Sequence, residues 1–540
     1  RATARVGLTK NVSRDEQFKS PKHPDYLETD KLKQGSFSAS TSEAFSYNGD
    51  LNIAFGKLFV EKHQVNVVGG WSFSENKNKR DGYSVVGFND DLHMNPAFST
   101  GFTDGQKPNY SLERSRSTSF FMNVNYSFMN RYLMDFNVRS DGTSKFGANK
   151  RFSTTWSVGL AWNLHNEEFM KSLGLFTNFK IRASVGNPGN QNFDAYQAMK
   201  IYKYNVELQN MFGSSAIIDQ FGNKDLDWQR TLDKNIGVDI SMLRNRIRVT
   251  LDYYYKDTDP LLISVPMPPS VGVGSINANA GRQLSLGWNG SIFGTVIQKQ
   301  DLSWTLNANF RTSKSEYRDI GDKLNEFNEL GSAQSLVRYY EGASPDDMWA
   351  VPSLGIDPAT GAEMFRKKDG SQTFIYSTAD EVVVGCSRPD VEGVIGSSFY
   401  YKGFSASVNF RYRLGGEVMA SALYSKVENI SEEQIYYNQD KRALHDRWKQ
   451  PGDKAKFKSI KDNSATPMSS RFVRTENTFS GESISMGYES SAVWIKKIGA
   501  EGVTFRAYMN DIFRVSSFKE ERGTDYPFAR TVSFSLSLRF

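Results

Sequence analysis

Hydrophobic and polar side chains take turns from Phe120 onward. Phe120, Met122, Val124, Tyr126 and Phe128 fall on one face of an extended strand and Phe121, Asn123, Asn125 and Ser127 on the other. After Met129-Asn130 the pattern resumes, with Tyr132, Met134, Phe136 and Val138 against Asp135, Asn137 and Arg139, which predicts a hairpin closed by a tight turn. It returns at Thr154 to Leu164, Ile247 to Tyr255, Leu284 to Val296, Leu302 to Phe310 and Phe404 to Tyr412. The chain closes on ARTVSFSLSLRF, where Val532, Phe534, Leu536, Leu538 and Phe540 oppose Ser533, Ser535, Ser537 and Arg539. Such a strand fits a soluble sandwich, its oily face on a core, and equally a membrane barrel, its oily face on lipid.

The connections separate the two readings. Short ones fall near Glu61–His63, Met129-Asn130, Arg244-Asn245, Gln298–Gln300 and Lys402-Gly403. Between them lie long polar stretches, from Ser74 to Ser115, Asn187 to Leu232, Tyr317 to Pro389 and Gly415 to Ser480. Loops of that length argue against strands in a compact soluble domain. An outer-membrane barrel requires this alternation, with short periplasmic turns and longer extracellular loops. The walk gives roughly 16 strands over residues 1–540, in one architecture without a linker. HNEEFMKSLGLF (His165 to Phe176) and SAVWIKKIG (Ser491 to Gly499) are each expected to form a helical turn on the short-turn side, which brings the C-terminus to that side too. The predicted fold class is therefore an all-β transmembrane antiparallel β-barrel.

Composition narrows the function. Mean hydropathy is −0.53 and no apolar run approaches the length of a spanning helix, which excludes a helical membrane protein but not a barrel. Aromatic residues make up 13%, including 25 Tyr and 38 Phe, enough to furnish girdles at two membrane interfaces. The balance of 66 basic and 60 acidic residues is too even to suggest nucleic acid. A lone cysteine, Cys386, excludes an intrachain disulfide framework, and His23, His63, His93, His165 and His445 show no metal-ligand spacing. No nucleophile elbow, HExxH, Walker loop or CxxC is present, so neither an enzyme nor a cofactor is expected. PSVGVGSINANAG (Pro269 to Gly281) is glycine-rich but lies between strands, with no helix after it to bind phosphate. The carboxylate pairs Glu167-Glu168, Asp346-Asp347 and Glu432-Glu433 read as solvated loop residues.

The polar face carries charges: Asp135, Arg139, Arg248, Asp252, Arg311, Arg411 and Arg413. Burying them in a dry core would cost several kcal/mol each unless paired. A wide wet lumen removes that cost. Among the aromatics, Tyr253 and Tyr255 take lipid parity, while Tyr254 takes lumen parity and is a candidate ligand contact. Trp349, in YYEGASPDDMWAVP, is a second candidate, set against a role in loop packing.

Several blocks, in order along the chain, resemble one family. RYLMDFNVRSDGTSKFGANKRFSTTWSVGLAWNLHNEEFM (Arg131 to Met170), FKIRASVGNPGNQ (Phe179 to Gln191), LDWQRTLDKNIGVDISMLRNRIRVTLDYYYKDTDPLL (Leu226 to Leu262), GIDPATG (Gly355 to Gly361) and VTFRAYMNDIF before the last strand are similar to the SusC/RagA group of TonB-dependent outer-membrane transporters of Bacteroidota. The resemblance implies a full barrel of about 22 strands with a plugged lumen. It implies a SusD-like surface lipoprotein as partner, energy from TonB-ExbB-ExbD, an oligosaccharide or oligopeptide ligand and a dimer of transporter–lipoprotein pairs. Contact with the lipid and lipopolysaccharide of a Gram-negative outer membrane follows as well. On this reading Arg411 and Arg413 are plug-facing lumen candidates, and Phe534, Leu536, Leu538 and Phe540 form a C-terminal signal for the barrel-assembly machinery. RATARVGLT already reads as a strand, with no signal peptide before it. Residues 1–540 are thus expected to be the C-terminal portion of a longer precursor whose plug and TonB-contacting segment lie outside them. The rivals are a siderophore or vitamin receptor, a passive porin and, from another class, a soluble β-rich glycan-binding protein or glycan hydrolase.

Overall fold

A computed structural model describes the chain apart from residues 93, 104–105, 191–195, 197, 212, 268, 280, 326–327, 330–334, 437, 493–494, 496–498 and 519–529. Nineteen strand segments join in one sheet. Three are short (Gly101–Phe102, Gly189–Asn190 and Lys314–Arg318), leaving sixteen long strands among the described residues. These are β1 (Ala2–Lys19), β2 (Ser36–Phe59), β3 (His63–Val86), β4 (Asn109–Phe128), β5 (Tyr132–Thr143), β6 (Phe152–Asn163), β7 (Phe176–Asn187) and β8 (Gln229–Met242). They continue as β9 (Ile247–Thr258), β10 (Arg282–Gln298), β11 (Leu302–Arg311), β12 (Val391–Tyr401), β13 (Phe404–Leu414), β14 (Thr478–Ser490), β15 (Gly502–Ser516) and β16 (Val532–Arg539). Each pairs antiparallel with its sequence neighbour, which is the all-β architecture the alternation predicts. Among the described residues no helix is long and apolar enough to cross a membrane.

Local chemistry sets the two kinds of connection. Met129 and Asn130 have φ of 52° and 54°, and Lys402 and Gly403 have 47° and 87°, the doubly positive geometry that lets a two-residue turn follow the twist of its strands. The Asn130 carbonyl accepts hydrogen bonds from the Asn163 and Asn166 side-chain amides at 2.8 and 2.7 Å, tying one turn to the next. The helical turn expected in HNEEFM forms at Glu168–Lys171, with Met170 buried beneath it. Part of the second expected turn, in SAVWIKKIG, lies outside the described residues.

Register keeps one face oily across strands. Trp71 sits opposite Leu51 and Phe120, Leu251 opposite Val238 and Gly290, and Phe505 opposite Leu536 and Tyr488. At the short-turn end His63, Phe128, Tyr132 and Trp162 make a row of ring contacts, with centroids 4.8 to 6.4 Å apart. Trp71 and Phe73 lie at the other end of the band. The eight-residue step from His63 to Trp71 rises about 20 Å at about 3.3 Å per residue and a tilt of about 40°, comparable to the apolar band of an outer-membrane barrel. Two aromatic girdles therefore bound the oily wall.

Ser74 to Ser115, expected as loop, is in large part strand: β3 runs on to Val86 and β4 begins at Asn109. Beyond the girdle the outward face leaves the hydrocarbon, so hydrophobic alternation fades while backbone pairing continues. The long connections hold several small packed cores. Asp347–Ala350 pairs with Val382–Cys386, Ser353–Ile356 with Glu363–Arg366, and Glu417–Met419 with Val473–Thr475. Between them lie two buried clusters, Leu336, Ala350 and Val473, and Val427, Ala443 and Phe457. These loops make a folded canopy above the sheet.

Candidate functional site

Three strands meet at Arg182 on the polar face. Its guanidinium donates to Asp239 of β8 at 3.1 Å and to Asp252 of β9 at 2.8 Å. Gly237 between them makes the room, since a Cβ there would lie 2.3 Å from Asp252 Oδ1 and 2.8 Å from the Arg182 guanidinium carbon. Farther round the wall, Arg139 donates to Asp141 at 2.7 Å, Lys256 pairs with Asp233 at 3.2 Å, and Arg388 pairs with Asp346 at 2.6 Å. Such half-exposed pairs add little stability one by one, about 0–1 kcal/mol. Their consequence is chemical: the wall carries paired charges.

A recess of about 820 Å³ opens in this wall, lined among others by Arg139, Asn235, Tyr254, Lys256, Arg311 and Arg388. Tyr254 takes the lumen position its parity predicts. Its ring sits over Gly287, its hydroxyl donates to the Thr312 carbonyl at 3.3 Å, and the Lys256 ammonium lies 5.7 Å from the ring centre. Tyr253 points the other way and packs on Trp288, centroids 4.9 Å apart, in the outer girdle.

Trp349 lies in the canopy strand Asp347–Ala350, its ring 4.7 Å from that of Tyr340 and its indole N–H buried without a hydrogen-bond partner among the described residues. It does not line the recess that Tyr254 lines. Arg411 and Arg413 stand on the polar face of β13, paired with Glu482 at 2.5 Å and Glu392 at 3.6 Å. Phe534, Leu536 and Leu538 are exposed on the oily face of β16, where Phe534 stacks on Phe505 at 6.1 Å, and Phe540 follows the last paired residue.

Sequence reasoning missed the cross-strand partners. Arg182, Asp239 and Asp252 share lumen parity, but only the register of β7, β8 and β9 brings them together. In the canopy it missed the buried pair Arg338–Glu381, at 2.7 Å, and Arg471 held between Glu428 and Glu363 at 2.7 and 2.8 Å. Burial pushes the Lys458 ammonium and the Cys386 thiol away from their charged forms.

The chain is similar to known proteins in sequence and fold. The family model described as TonB dependent receptor-like, beta-barrel, matches residues 3–354. TonB-dependent receptor P39 of Formosa agariphila is 24% identical over 521 residues, covering 86% of this chain and 49% of the relative. TonB-dependent receptor SusC of Bacteroides thetaiotaomicron is 26% identical over 463 residues, covering 79% and 44%. The structure of the RagAB peptide transporter superposes with a TM-score of 0.82 at 21% identity, covering 96% of this chain and 56% of that one. The chain spans about half the length of the curated relatives it matches.

Proposed function

Because this chain belongs to the TonB-dependent receptor-like β-barrel family, and within it to the SusC/RagA group of outer-membrane proteins, we propose that the full-length protein imports oligopeptides or oligosaccharides across the outer membrane with energy relayed by TonB. The observation that carries this reading is the charged polar wall with the recess that opens in it. A hydrated oligomer slides along such a wall by exchanging protein contacts for water. The recess offers guanidinium, ammonium and amide donors with a single phenol and one carboxylate, Asp233, so donors that grip carboxylate and carbonyl oxygens outnumber the anion. That favours an oligopeptide, or an acidic oligosaccharide over a neutral one.

The remainder of the full-length protein, on this proposal, supplies the plug and the strands that close the sheet against lipid, where open backbone edges are not tolerated. Arg411 and Arg413, each with a single carboxylate partner at the lumen surface, hold that plug by exchangeable polar contacts. A SusD-like lipoprotein covers the extracellular mouth, and two such pairs associate. Uptake of labelled oligopeptide and oligosaccharide mixtures, in strains with and without TonB or the lipoprotein, tests the reading. Saturable uptake should disappear without TonB and fall without the partner. Undiminished uptake without TonB would make the protein a porin.

A further inference from the structure

The oily face ends, at the long-loop side, in charges that still point outward. On β3 the residues after Trp71 and Phe73 with the same parity are Glu75 and Lys77, and the register sets Glu75 opposite Tyr47 of β2 and Arg116 of β4, and Lys77 opposite Arg114. Glu75 is 6% exposed. It accepts from the Tyr47 hydroxyl at 2.7 Å, from Arg114 Nε at 2.5 Å and from Arg116 Nε at 2.7 Å. The two arginine side chains are 50% and 59% exposed, and their Nη groups have no partner among the described residues. One buried carboxylate thus fixes two guanidiniums, with Lys77 beside them: three cations against one anion.

Depth decides what these cations meet. Glu75 lies one outward step beyond Phe73, and Trp71 on the same strand, Phe120 on β4 and Phe152 on β6 occupy the same girdle. A two-residue step rises about 5 Å at this pitch and tilt, which carries the cluster out of the hydrocarbon and into the headgroups of the outer leaflet. Arginine is costly at the midplane and tolerated at the interface, where its planar fork matches phosphate oxygens. We propose that Arg114 and Arg116, held by Glu75 and joined by Lys77, form a binding site for the phosphate group of an outer-leaflet lipid, of which lipid A is the phosphorylated candidate. The site rests on the outer-membrane placement alone and is independent of what the lumen transports.

The test is native mass spectrometry of the full-length protein, extracted in mild detergent, with retained lipid A counted per protein. The double variant Arg114→Ala/Arg116→Ala should lose retained lipid A at least threefold, whereas Lys57→Ala, at the opposite end of β2, should retain the wild-type amount. Heat-modifiable mobility reports that each variant is folded. Should the alanine variant fail to assemble, Arg114→Lys/Arg116→Lys keeps the charges but loses the forks and should retain less than wild type. Equal lipid A in folded wild type and variants would reduce the cluster to a structural tie between β2, β3 and β4 and overturn the proposal. Binding of inorganic phosphate at the arginines, with no lipid A on the wild type, would assign a free-anion site and overturn it too.

Discussion

Thr250 and Leu251 are bonded neighbours whose side chains enter different media. Leu251 lies in the oily row below the Tyr253–Trp288 contact, and Thr250 faces the lumen between Asp239 and Ser291. Leu251→Arg should therefore cost about 2–4 kcal/mol, while Thr250→Arg should cost little. Folding into lipid vesicles, followed by heat-modifiable mobility along a urea series, separates the two. Glycines under aromatic rings make a second point at this scale. Gly290 lies opposite Phe310, where an added Cβ would sit 2.1 Å from the ring, so the aromatic covers backbone a side chain would otherwise cover. Gly290→Val should destabilise by about 1–3 kcal/mol through that clash, read in the same urea series.

At the scale of elements, legibility follows the medium on each side. The strands between the girdles were readable because one face meets lipid and the other water, as in Phe120 to Val138. The extensions of β3 and β4 beyond Ser74 and before Ser115 were not, since ENKNKRDG lies outside the hydrocarbon on both faces and carries no period of two in hydrophobicity. The Glu75 cluster escaped notice for the same reason, although parity with Trp71 and Phe73 was the signal that finds it. Tyr254 was placed in the lumen by parity, whereas Trp349 sits in a canopy whose short strands leave no repeating pattern to read. The canopy has its own energetics. Glu428 is buried, accepting from Arg471 at 2.7 Å and from Thr466 at 3.1 Å, so Glu428→Gln removes one of the two carboxylates that balance the Arg471 charge and leaves Glu363 as the other. Losing one partner of a buried pair costs about 3–5 kcal/mol. The expected result is new protease cutting within residues 415–477 while the barrel keeps its heat-modifiable mobility. Cys386 belongs to the same unit, its thiol pushed up by burial and its backbone N–H bound to Glu417 at 2.7 Å. At neutral pH it should react with maleimide far more slowly in the folded protein than in urea, and Glu428→Gln should narrow the gap if the canopy opens as one piece.

For the whole molecule, what sixteen paired strands build is a wall with two solvents. The oily rows, the two girdles and the alternation of short turns with long loops agree on which side is lipid and which end is outside. The last strand finishes the pattern with Phe534, Leu536, Leu538 and Phe540 in the oily row. If this end is read during assembly, deleting Phe540 should lower the amount of folded barrel in the outer membrane, and normal levels would show the terminal ring to be incidental. Everything proposed for transport depends on the two-faced wall, and a direct measurement of it is available. In a Cys386→Ser background, single cysteines from Ile247 to Tyr254 carry a fluorophore in vesicles of brominated lipid. Quenching should be strong at 247, 249, 251 and 253 and weak at 248, 250, 252 and 254. Uniform quenching along the strand, or none, would contradict a wall with lipid on one face and water on the other.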